Sequence, residues 1–227
     1  MIEWTRRINS LTQLRVADPN APILERDAEH HLRKVLRAQV GEELVVTNGS
    51  GLWSFATVQD SGLKRVSEVY LDPEPATVAL YIAPLKGDRS EWVVAKATEL
   101  GVSEIIPLLS ERLAVKFKGE AREKILERWR RISAEASGQC RRTYDLAIGE
   151  PVAPAQVPAS VAIADFTGST EMATVRALAI GPEGGWAPGE WATERQVISL
   201  GSTVLRAETA AIAGAALMSL GAQGMTL

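Results

Sequence analysis

From Val78 onward, short apolar runs alternate with longer amphipathic ones, and this alternation constrains the fold more than any other feature of the chain. Val78–Ile82, Ile105–Leu109, Val161–Ala164 and Ala177–Ile180 have the length and branching of buried strands. Between and after them, Ser90–Leu100 (closed by Gly101), Ala121–Gly138, Gly189–Ile198 and Thr209–Leu220 carry helical spacing. Strands that alternate with helices predict a largely parallel sheet covered by helices, an α/β fold. Ligands of such sheets sit beyond the carboxyl ends of the strands.

The first seventy residues read differently. Glu43–Thr47, Trp53–Val58 and Lys64–Leu71 are strand candidates, with Asn48-Gly49-Ser50-Gly51 as a hairpin turn between the first two. A helix is expected from Asp27 to Ala38, ending at Gly41. Asp72-Pro73-Glu74-Pro75 breaks regular structure, so residues 1–72 and 76–227 are expected to be separate domains.

Composition excludes several classes. Apolar runs stop short of the roughly 20 residues that a bilayer span needs, and Glu3, Arg6, Arg7 and Asn9 stand where a signal peptide would be apolar, so a cytoplasmic protein is expected. A single cysteine, Cys140, rules out an internal disulfide or a multi-cysteine zinc cluster, and the adjacent His30 and His31 do not form a helical metal pair; no metal is expected. The net charge of −3 conceals an uneven distribution. Between Arg112 and Arg142 lie ten basic residues against four acidic ones, whereas the remainder is acidic. Such polarity suits a face presented to phosphates, or a solvated helix with pairs such as Glu120 with Lys124.

Two glycine-punctuated segments lie at the carboxyl ends of the last strands. Ala179-Ile180-Gly181-Pro182-Glu183-Gly184-Gly185-Trp186 and Leu200-Gly201-Ser202-Thr203-Val204-Leu205-Arg206-Ala207-Glu208-Thr209-Ala210 permit close backbone approach to a bound molecule. Neither G-x-G-x-x-G at the first strand–helix junction nor G-x-x-x-x-G-K-[ST] anywhere is present, which disfavours the common nucleotide folds. Arg206 ends an apolar strand before an apolar helix, where a guanidinium needs an anionic or oxygen-rich partner; a pair with Glu208 or Glu183 is the structural alternative. Glu208 and Thr209 in the first helical turn are expected to cap that helix and complement its dipole, with a part in catalysis as the alternative.

An ordered set of motifs spans nearly the whole chain: His30-His31-Leu32 with Lys34-Val35-Leu36-Arg37 and Val40-Gly41-Glu42, then Lys86-Gly87-Asp88-Arg89, Lys96 to Val102, Pro107, Glu111-Arg112, Arg128-Trp129, Glu135-Ala136 with Gln139, Gly181 to Gly185, Glu190, and Leu205 to Ala210. In this order they resemble the RsmE-type SPOUT methyltransferases, which methylate N3 of a uridine in small-subunit ribosomal RNA. The resemblance implies a PUA-like β-barrel for the N-terminal unit, a trefoil-knotted α/β domain with a parallel sheet for the rest, a homodimer, and S-adenosylmethionine as cofactor. It assigns Ile180, Gly181, Glu183, Gly184, Leu200, Gly201, Leu205, Arg206 and Ala210 to the cofactor. Arg206 is implied to hold the uracil oxygens, with Glu183 as a proton acceptor. The expected RNA contacts are Arg6, Arg33, Lys86, Arg89, Arg112, Arg141 and Arg142, on a small-subunit RNA or the assembled subunit. A non-catalytic RNA-binding protein, or an enzyme acting on another RNA position, are the alternatives.

Overall fold

The computed structural model describes residues 2–192 and 194–224. They divide into two compact units, Met1–Pro75 with Ala134–Asp145, and Ala76–Ser133 with Leu146–Leu227. The segment Ala134–Asp145 thus groups with the N-terminal unit, although the sequence placed it in the second domain.

In the first unit a helix, α1 (Ile2–Asn9), precedes β1 (Gln13–Arg15), α2 (Arg26–His30), and the strands β2 (Glu43–Thr47), β3 (Leu52–Val58), β4 (Leu63–Arg65) and β5 (Tyr70–Leu71). The sheet order is β1-β2-β3-β4, with β5 also beside β3. Alternation along the β2–β3 hairpin feeds two small cores. Leu44, Val46, Ala56 and Val58 pack with Leu14 and Leu32, while Val45 and Phe55 pack with Trp53 and Tyr70. In the connecting loop the Asn48 side chain accepts hydrogen bonds from the N–H groups of Ser50 and Leu52. The single strand expected over Lys64–Leu71 is broken into β4 and β5. The helix expected to Ala38 widens to a π-helical turn over His31–Val35 and ends at Arg37, whose φ of 52° closes it four residues before Gly41.

Asp72, read as linker, is instead a hub of this unit. Its side chain accepts from Arg7 Nη1 (2.7 Å), Trp53 Nε1 (2.8 Å) and Thr143 Oγ1 (2.6 Å), and its carbonyl from the Tyr144 hydroxyl (3.0 Å). Burial pushes the carboxyl up, but the hydrogen bonds from Thr143, Arg7 and Trp53, with the Arg7 charge, outweigh it and hold Asp72 below the ordinary carboxylate range. The contribution of such a group is fully present above its unfolded-state value of about 3.9, and is lost as the pH falls through the lowered folded value. Asp72→Asn is therefore expected to lower stability at neutral pH and to flatten the stability curve below pH ~4. Urea unfolding across pH checks this; parallel curves for the two proteins would contradict it.

The second unit is built on six parallel strands in the order β11-β9-β10-β6-β7-β8. These are β6 (Ala79–Ile82), β7 (Glu104–Pro107), β8 (Ala147–Ile148), β9 (Ala162–Ser169), β10 (Ala177–Ile180) and β11 (Val197–Ile198), joined by α3 (Arg89–Glu99) and α4 (Gly119–Gln139) and followed by α5 (Ala207–Ala222). Leu80, Ile82, Ile105, Leu178 and Ile180 form the core with Val93, Val94 and Ala97 of α3 and Ala211, Ala215 and Met218 of α5. Helix α5 comes close to β10 at Gly214, where an added Cβ would sit 2.5 Å from Leu178 Cδ2.

Among the described residues of Gly189–Ile198, which leave out Thr193, the expected helix does not form. Side chains here bind other segments instead of sustaining a helix. The buried Glu190 carboxylate accepts from the Glu111 N–H (2.6 Å) and the Ala187 N–H (2.8 Å), Arg195 donates to the carbonyls of Val157 and Pro158, and Val197–Ile198 join the sheet as β11. Losing two charge-assisted bonds in Glu190→Ala is expected to cost on the order of 2–3 kcal/mol. Thermal unfolding is the check, and an unchanged melting temperature would contradict this role. Among the described residues no helix is long and apolar enough to cross a membrane, and no group of three or more His, Cys, Asp or Glu side chains could hold a metal.

Candidate active site

In a parallel sheet all carboxyl ends face one edge, and here the ends of β9, β10 and β11 open onto a cavity of about 640 Å³. Its walls are Ala164–Phe166 of β9, the loop Ile180–Glu183 with Gly185 and Trp186, the loop Ile198–Gly201 with Thr203–Arg206, and Ala207, Glu208 and Ala210 of α5. Arg89, at the start of α3, completes it. The volume falls within the range of about 300–1,000 Å³ typical of small-molecule sites.

Of the expected cofactor residues, eight line this cavity: Ile180, Gly181, Glu183, Leu200, Gly201, Leu205, Arg206 and Ala210. Gly184 does not; its carbonyl accepts from Arg112 Nη1 at 3.2 Å, and Gly185 takes its place in the wall. The helix expected after the first glycine segment is the one that fails to form, so only the second segment runs from strand to helix.

The second loop is rich in free donors. Among the described residues the backbone N–H groups of Leu200 to Leu205 have no hydrogen-bond partner within the chain, and Ala210 N–H is the first to bond back, to the Arg206 carbonyl at 2.8 Å. The N–H groups of Ala207, Glu208 and Thr209 are thus the open donors of the α5 N-terminus, and Ala207 and Glu208 line the cavity. Arg206 caps α5 through its extended backbone (φ −67°, ψ 153°) without a side-chain cap. Its side chain is exposed at the cavity, not buried as its place beside an apolar strand suggested, and forms no ion pair among the described residues.

The carboxylates expected to pair with Arg206 are engaged elsewhere. Arg89 Nη1 donates to Glu183 Oε1 at 2.5 Å and lies 3.8 Å from Glu208 Oε2, so Arg89, expected as an RNA contact, links the loop after β10 to the first turn of α5. Glu208 Oε2 is buried and has no hydrogen-bond partner among the described residues.

None of the other expected RNA contacts lines this cavity. Arg6 bonds Glu43 and covers the Phe55 ring at 3.9 Å, and Arg33 donates to the Gln59 carbonyl. Arg141 donates to the Ser10 carbonyl, and Arg142 to that of Tyr144. Burial, with the nearby Arg7 charge, pushes Arg141 down; burial also pushes Arg142 down, against opposing effects of Cys140 and Asp145. Both arginines are partly buried and donate to backbone carbonyls of the first unit. Lys86 is exposed and makes no side-chain bond among the described residues.

Reading β9 only to Ala164 hid Asp165 and Phe166; the rule that strand ends line the site would have found them had the strand been followed to Ser169.

Residues 72–219 match the model of the RNA methyltransferase domain family, and residues 24–67 that of the RNA methyltransferase PUA domain. The chain is 31% identical, over 89% of its length and 86% of the relative's, to the ribosomal RNA small subunit methyltransferase E of Mycobacterium bovis. The chain belongs to this family of RNA methyltransferases. The enzyme of the same name from Synechocystis is 33% identical to this RNA methyltransferase, over 80% of this chain and 67% of the relative. Two solved structures share its fold with a TM-score of 0.75 each, covering 92% of this chain and 97% of theirs. One is a methyltransferase of Legionella pneumophila, 27% identical, and the other the ribosomal RNA small subunit methyltransferase E of Neisseria gonorrhoeae, 25% identical; both contain S-adenosylmethionine. The second unit therefore has the SPOUT methyltransferase fold, and the N-terminal unit is PUA-like.

Proposed function

We propose that this RNA methyltransferase transfers the methyl group of S-adenosylmethionine to N3 of a uridine in small-subunit ribosomal RNA. The observation that carries this reading is the cavity at the carboxyl ends of β9 to β11, walled by a loop whose backbone donors from Leu200 to Leu205 have no partner among the described residues. The residues fit the group. Adenine nitrogens, ribose oxygens and a carboxylate supply acceptors for those N–H groups, and three carboxylates (Asp165, Glu183, Glu208) against two guanidiniums (Arg89, Arg206) suit a cationic sulfonium. When bound, the donor supplies an activated methyl, so no metal is required.

Arg206, exposed at the cavity and free of ion pairs among the described residues, holds the uracil carbonyl oxygens and stabilises the negative charge that N3 acquires. Holding base and donor together in line provides much of the remaining acceleration. Lys86 supplies a phosphate contact, and the PUA-like unit docks RNA. The enzyme acts as a homodimer in the cytoplasm. Support for the dimer is α5, which carries no charge from Ala210 to Ala222 and leaves Ile212, Leu217 and Leu220 only partly buried.

Incubation with methyl-labelled S-adenosylmethionine and small ribosomal subunits from cells lacking the enzyme tests the reading. Label is expected in 3-methyluridine after digestion to nucleosides. Label on a ribose or another base would overturn the N3 assignment, and no label in RNA would overturn the catalytic one.

A further inference from the structure

Methylation at N3 needs an acceptor for the imide proton, and the cavity offers three carboxylates. Glu183 is engaged, because its Oε1 takes the hydrogen bond from Arg89. Asp165 Oδ1 accepts from the N–H and hydroxyl of Thr167, which turns that carboxylate to its own strand end. Glu208 differs from both: among the described residues its Oε2 is buried without a hydrogen bond and has only Arg89 Nη1 at ion-pair distance, 3.8 Å away. A buried carboxylate oxygen left unsatisfied is costly, and in a cavity wall it marks the place of a donor that arrives with a ligand.

We propose that Glu208 is the catalytic proton acceptor, taking the N3 proton of the target uracil; this rests on the function proposed above. The other charged groups that line the cavity with it are Arg89 from α3, Glu183 from the loop after β10, Asp165 from β9 and Arg206 at the start of α5. Arg89 lies nearest Oε2 and is the member able to yield, since its side chain is 37% exposed and, among the described residues, anchored by one hydrogen bond, to Glu183. The charges balance in the step. Glu208 Oε2 takes the proton from N3, the nitrogen electron pair forms the bond to the methyl carbon, and the carbon–sulfur bond breaks with its pair left on sulfur. One carboxylate anion and one sulfonium cation become a neutral acid and a neutral thioether, and the acid then returns its proton to water. Arg206 steadies the oxygens while the proton leaves, so base and oxyanion partner come from the same turn of chain.

The test is Glu208→Gln, which keeps shape but cannot take the proton. At saturating S-adenosylmethionine, turnover of small-subunit RNA is expected to fall about 10²–10⁴-fold, well beyond the loss of one carboxylate near the sulfonium, for which the Kd by calorimetry should rise no more than about tenfold. The residual rate of the variant should climb about tenfold per pH unit, because the imide must then ionise in solution, whereas the wild-type rate should be less steep. Glu208→Asp, which retains a carboxylate, should recover part of the rate and the wild-type pH profile. Wild-type turnover in Glu208→Gln, or parallel loss of cofactor binding and turnover, would overturn the assignment. Failure of the wild-type protein to form 3-methyluridine would instead overturn the function on which it rests.

Discussion

Gly168→Val should detach β11 from β9 and take the second cofactor loop with it. A Cβ at position 168 would lie 2.5 Å from the carbonyl carbon and oxygen of Val197 and 2.6 Å from the Ile198 nitrogen, all backbone atoms that cannot rotate aside. Strand β11 is only two residues long and pairs with β9 alone, through Val197 with Ile163 and Ile198 with Ser169. It leads directly into Ser199 to Leu205, the wall that carries the unpaired donors. Overpacking of this kind typically costs about 1–3 kcal/mol, and displacing the loop should weaken S-adenosylmethionine binding by at least about tenfold, equivalent to about 1.4 kcal/mol. Circular dichroism should stay close to wild type, because β9-β10-β6-β7-β8 pair independently of β11. Calorimetry with S-adenosylmethionine checks the effect; wild-type affinity in this variant would show that β11 does not position the loop.

Arg206→Ala carries the second large effect, on rate and not on folding. The side chain is exposed and makes no ion pair among the described residues, so its removal leaves no buried charge unpaired. Its loss removes a donor aimed at developing negative charge, for which a fall in turnover of about 10²–10³ is typical. Cofactor affinity should change modestly, and the melting temperature little. Steady-state kinetics with saturating RNA separates these readouts. Unchanged turnover would remove Arg206 from the chemistry.

Much of this organisation is legible in the residues. Branched apolar runs specify β2 and β10 to the residue, and the glycines at 181, 185 and 201 point to the cavity walls. The exceptions have a common physical cause, namely contacts distant in sequence. Gly189–Ile198 has helical spacing, but Glu190 and Arg195 bond backbone groups of other segments, and a two-residue edge strand has no periodicity to read. The polar end of β9, Asp165 to Ser169, lacks the apolar signature because β11 alone pairs there. Asp72 opens the proline-broken stretch Asp72-Pro73-Glu74-Pro75 and looks like a linker, yet it bonds Arg7 and Thr143 from positions far along the chain. The same holds for Arg89, whose charge suggests phosphate while the fold brings it to Glu183 and Glu208. Arg206 shows the converse: an apolar neighbourhood in sequence suggests burial, but the strand ends before it and the helix begins after it, which leaves the guanidinium in the cavity.

That the two loops beyond β10 and β11 together hold the methyl donor is tested most directly by hydrogen exchange with and without S-adenosylmethionine. Peptides covering 180–186 and 199–208 should exchange fast in the free protein, since the Leu200 to Leu205 N–H groups have no partner among the described residues, and slow markedly on binding. Peptides within 24–67 should not change. Unaltered exchange in both loops, or protection confined to the PUA-like unit, would contradict this placement of the cofactor.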